Sequence, residues 1–161
     1  VTFPLRDRAV LIPVELRNVA IEIIAAFAVL FILGGLVPAM IALTAVLAGA
    51  ALFPILLPVL PTNDFTSKGM LLGAAVSVPF ALYYLTTGAG WTRIVYATGT
   101  VLLMVAVVGY LALNFTGCST YASRTGVKGE IFRYIPTLAA MAVMGLATIV
   151  VSVAGSILGW F

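Results

Sequence analysis

Long apolar runs almost free of charge constrain this chain more than any other feature. The segments 14–33, 36–60, 69–85, 94–115 and 131–161 are dominated by Ala, Val, Ile, Leu and Phe. A helix needs roughly 20 apolar residues to cross the hydrocarbon of a bilayer. Only 8% of the residues are charged, against about 25% in soluble domains. A water-facing surface cannot be built from so few charges, whereas lipid accepts apolar side chains and penalises charge. The runs are continuous and do not alternate as barrel strands do. The expected fold is all-α, an integral membrane bundle of five transmembrane helices filling 14–161, preceded by a cytoplasmic segment, 1–13.

The breaks between runs carry turn chemistry. Pro13 suits the first helical position, where its missing N–H costs nothing, and Glu15 follows in the first turn. The first helix starts polar, with Arg17, Asn18 and Glu22, and is fully apolar from Ile23. Gly34-Gly35 ends it; the same pair could instead close a re-entrant hairpin. Pro54 and Pro58 should kink the far end of the second span, and Pro79 and Pro136 lie within the third and fifth. Thr92 is a candidate cap for the fourth. Gly69, Gly73 and Ser77 form a small-residue face on the third helix; Gly155 and Gly159, beside Thr148, Ser152 and Ser156, form another on the fifth. Such faces let helices approach closely. They suit packing inside one bundle, with a homodimer through the fifth helix as the alternative.

Five crossings put the chain ends on opposite sides. Arg6, Arg8, Arg17, Lys68, Arg124, Lys128 and Arg133 then share the side of the N-terminus, and Arg93 stands alone on the other. This positive-inside bias predicts a cytoplasmic N-terminus, an outside C-terminus and a multi-pass location in the cytoplasmic membrane. The net charge of +3 is thereby read as a topology signal for a lipid environment and not as a nucleic-acid surface. Trp91 and Trp160 fall on the low-charge side, as interface anchors do.

The residue inventory is sparse in chemistry. There is no His and a single cysteine, Cys118, so a zinc site, an internal disulfide and a Cys/His pair are excluded. Cys118 alone makes a weak soft-metal ligand. Glu22 is the acidic residue set deepest inside a span; an ionisable group there is a functional candidate, with pairing to Arg17, Lys68 or Arg133 as the plainer explanation. The longest polar stretch, NFTGCSTYASRTGVKGEIFRYIP at 114–136, offers the hydroxyls of Thr116, Ser119, Thr120, Tyr121 and Ser123 but no base to activate them. No catalytic residue, cofactor ligand or metal site is expected from this chain itself.

In that stretch, Asn114-Phe115-Thr116-Gly117, then Ser119-Thr120-Tyr121, then Ser123 and Gly126-Val127-Lys128 with Glu130, resemble a loop in the C-terminal transmembrane domain of the HgcA-type corrinoid proteins of microbial mercury methylation. Arg8-Ala9-Val10-Leu11 and Pro13-Val14-Glu15-Leu16 resemble the segment leading into that domain, and Arg124 and Gly129 depart from its pattern. The resemblance implies that a cytoplasmic corrinoid-binding domain precedes Val1 and carries the cobalamin-type cofactor. It also implies a ferredoxin-like iron–sulfur partner of the HgcB type. The implied chemistry is methyl transfer from a methylcorrinoid to Hg(II). This chain would anchor and dock those partners through Asn114, Thr116, Ser119, Thr120, Tyr121, Ser123, Arg124, Lys128, Glu130 and Arg133, together with the Asp64–Lys68 turn. The competing expectation is a transport or passage module for mercury species or another solute.

Overall fold

Backbone groups have no water to bond with in lipid, so apolar runs of this length satisfy them internally as helices. The computed structural model describes residues 20–88, 90–118 and 124–157, together with Pro13 and Arg17; residues 22, 33, 115–118, 124–127 and 156–157 are described by their backbone alone. Among the described residues there are five helices and no strand. They are α1 (Ala20–Gly34), α2 (Leu36–Leu56), α3 (Phe65–Thr87), α4 (Thr92–Cys118) and α5 (Arg124–Ile157). Four of them, α2 to α5, are long and apolar enough to cross a membrane. The 15 described residues of α1 extend about 22 Å at 1.5 Å per residue, short of the roughly 30 Å of hydrocarbon. Pro13 and Arg17 are helical as well.

A single residue separates α1 from α2. Gly35 has φ 83° and ψ −164°, a region essentially restricted to glycine, and its N–H bonds to the Phe31 carbonyl at 3.0 Å. The chain therefore reverses at once, and α1 packs back along α2. Ile23 of α1 and Val46 of α2, almost equally far from the break, line the same cavity.

Within α2, the stretch Ala48–Leu52 is a π-helical turn, and the Phe53 N–H reaches back to Ala48. Pro54 explains it. Its ring would clash with the carbonyl one turn earlier and its nitrogen cannot donate, so one extra residue is absorbed in the turn before it. The expected kink thus takes the form of a π-bulge, and α2 ends at Leu56, earlier than residue 60. By contrast α3 starts at Phe65, four residues before the expected span.

The core lies where α2, α3 and α4 meet, around Phe53 (0% exposed), Leu72, Met104 and Val108. Gly69 and Gly73 carry the approach of α3 to α4. A Cβ on Gly73 would lie 2.9 Å from the Met104 carbonyl oxygen, and one on Gly69 2.8 Å from that of Val108. Ser77 completes this buried face, so the first small-residue stripe is an intramolecular seam. On its other side α4 packs against α5, with Gly99 against Thr148 and Gly145 against Leu103. Ser152 and Gly155 are buried inside the same chain; Gly159 lies outside the described residues. Lipid tails are as apolar as leucine, so close packing of this kind supplies the association energy that the hydrophobic effect supplies in water.

Candidate functional site

The polar chemistry of the molecule gathers at one end of the bundle, where the turn between α2 and α3 meets the first turns of α5. Helices leave their first N–H groups without internal partners, and at a lipid boundary these need acceptors. Asp64 stands at the N-cap of α3, yet its side chain makes no cap hydrogen bond. The cap comes from another helix. Glu130 Oε1 accepts from the Thr66 backbone N–H at 2.6 Å and from the Thr66 hydroxyl at 2.7 Å. The carboxylate also meets the positive end of the α3 dipole. Thr66 is fully buried.

Asp64 is drawn the opposite way. Its Oδ2 accepts from the Tyr134 hydroxyl at 2.7 Å and lies 3.8 Å from Arg133 Nη1. Glu130, Arg133 and Tyr134 stand at i, i+3 and i+4, so one face of α5 supplies all three contacts. Two further bonds complete the turn: Lys68 Nζ donates to the Leu57 carbonyl at 3.1 Å, and the Ser67 hydroxyl to the Asp64 carbonyl at 2.9 Å.

This arrangement changes several sequence-based assignments. The polar stretch is mostly helical: α4 runs to Cys118 and α5 begins at Arg124, so the expected loop over 116–133 shrinks. Glu130 is not a free docking group but the acceptor for α3. Lys68 is tied to its own turn. Arg133 stays mostly solvent-accessible, with 74% of its side chain exposed. Lys128 is exposed, its Nζ 6.0 Å from the Phe132 ring centre. Asn114 belongs to α4 and lines a cavity. Ser119, Thr120, Tyr121 and Ser123 lie outside the described residues, as do the side chains of Glu22, Thr116, Cys118 and Arg124. Two of the partners considered for Glu22 are engaged elsewhere: Lys68 with Leu57, and Arg133 beside Asp64. Among the described residues no three His, Cys, Asp or Glu side chains group as a metal site would require. Thr66 and Tyr134 were not anticipated. Their one sequence signal is the acid, base and phenol that α5 presents on a single face opposite the Asp64 turn.

A cavity of about 720 Å³ lies beside this end, between the α1–α2 hairpin and α5, with α4 as its floor. Its walls are apolar, including Ile23, Val46, Val107, Leu138 and Ala142, and its polar groups are Tyr110 and Asn114. No protein-family model matches the chain, and no curated protein or solved structure is similar to it.

Proposed function

We propose that this chain is the membrane-anchoring and docking domain of an HgcA-type corrinoid methyltransferase. It holds the cytoplasmic corrinoid domain and its ferredoxin-like iron–sulfur partner at the cytoplasmic membrane while they methylate Hg(II). The family assignment rests on the motifs at 8–16 and 114–130. The observation that supports docking is the network joining Asp64 and Thr66 to Glu130, Arg133 and Tyr134. It joins the two segments that the charge pattern assigns to one wet face, and it does so with directional bonds. A rigid face of this kind, with Lys128 and Arg133 outward, loses little conformational entropy when a partner binds. Tethering a domain there raises its effective concentration near the membrane.

In this reading the N-terminus is cytoplasmic, the C-terminus outside, and the carboxylates fix the platform while the remaining cations meet the partner. A solute passage is less favoured. The α3–α4 seam closes backbone against side chain at Gly69 and Gly73, and the described cavity has apolar walls. Binding of a separately produced corrinoid domain to the reconstituted chain tests the proposal. Wild type should bind in a salt-sensitive manner, and combined replacement of Arg124, Lys128 and Arg133 by Ala should abolish it. Unchanged binding by that variant at low salt would defeat the docking reading.

A further inference from the structure

We propose that the cleft between the α1–α2 hairpin and α5 is a binding groove for an anionic phospholipid, acyl chain inward and phosphate at the polar end. Three observations carry this. The first is size. The α4 floor runs from Ala106 to Asn114, eight residues or about 12 Å, and the cavity of about 720 Å³ over it is lined mostly by apolar side chains, a length and lining suited to a hydrocarbon chain.

The second observation is polarity along the groove. Ala106 and Ala142 line its deep part, and Tyr110 and Asn114 follow on α4 toward the polar end. A phenol and an amide at that depth suit the ester and phosphate oxygens of a lipid, both being hydrogen-bond donors. The third is charge. Lys128 lies seven residues before Ile135, hence on the α5 face that lines the groove, and it is exposed at the polar end. Arg17, also exposed, leads into α1. Glu22 adjoins Ile23 in α1, so selectivity for the anion requires Lys128 and Arg17 to outweigh it.

The test uses the full chain in phosphatidylcholine vesicles with spin-labelled phosphatidylglycerol or spin-labelled phosphatidylcholine. The motionally restricted fraction of each label is read by electron paramagnetic resonance. Phosphatidylglycerol should be preferred about fivefold, the effect expected of one basic side chain near a bilayer surface. Lys128→Gln, at an exposed site, should remove most of that preference. Ala139→Phe, which fills the groove, should reduce the restricted fraction of both lipids, with Ala139→Leu as the milder variant. Equal association of the two lipids with wild type would overturn the proposal, as would restricted fractions unmoved by all three variants. Disulfide cross-linking of two Val107→Cys chains through the groove would overturn it in favour of a second copy.

Discussion

The helix α3 is held in two different ways along its length. Its body lies against α4 through Gly69, Gly73 and Ser77, where the glycines meet the α4 backbone from Met104 to Gly109 and the Cβ atoms of Val108 and Ala112. Its first turn is held by Glu130 and, through Asp64, by Tyr134 and Arg133 of α5. In the dry seam the determining quantity is volume, because lipid competes for every apolar contact and only closer packing wins. At the polar end it is hydrogen-bond accounting, because a buried Thr66 N–H without an acceptor costs free energy that packing does not return. One helix thus obeys lipid rules in the middle and interface rules at its end.

The largest effect is expected in the seam. Gly73→Ile would drive a branched side chain into the Met104 carbonyl and should destabilise the bundle by about 3 kcal/mol, the upper range for overpacking. Denaturant titration of the reconstituted protein measures this. Gly129→Ile, where a Cβ meets nothing within 4 Å, is the matched control and should cost no stability. At the polar end, Glu130→Ala leaves the Thr66 N–H and hydroxyl unpaired and should cost about 2 kcal/mol. Glu130→Gln keeps an acceptor and should recover part of that. Equal losses from the two variants would show that the carboxylate contributes through charge alone.

The reversal between α1 and α2 tests a third kind of constraint. Gly35→Ala meets no neighbour but forces a side chain onto a glycine-only backbone, a strain of about 1–2 kcal/mol. The expected readout is a longer spin-label distance between α1 and α2, with the α3–α4 seam unchanged. Tyr134→Phe deletes one hydrogen bond to Asp64 and should cost about 1 kcal/mol. Arg133→Ala should cost less than about 0.5 kcal/mol, because the pair is long and solvent-screened. If Arg133→Ala proved more damaging than Glu130→Ala, the division between capping carboxylate and outward cation would be wrong.

Much of this architecture was legible beforehand. The five helices overlap the five apolar runs, with α3, α4 and α5 extending into the polar residues that flank them, Gly34-Gly35 marks the first reversal, and the Gly69/Gly73/Ser77 stripe faces a neighbour. Each follows from patterns confined to one segment: run length, glycine torsion freedom and four-residue spacing. The candidate site was legible only as two segments destined for one end. Its connections were not, because Asp64 reads as part of a turn and Glu130 as a member of the docking stretch when each is taken in its own segment.

The sequence by itself determined that the chain is helical and where most of its helices break, since those properties depend on local composition and backbone chemistry; it pointed to five crossings, and among the described residues four helices, α2 to α5, have the length for one. Only the tertiary structure decided which carboxylate caps α3, that α1 doubles back to leave a groove over α4, and that Pro54 is absorbed by a π-bulge. Those outcomes depend on which helices meet, and a hydrogen bond between residues 66 and 130 becomes favourable only after packing has brought their helices together.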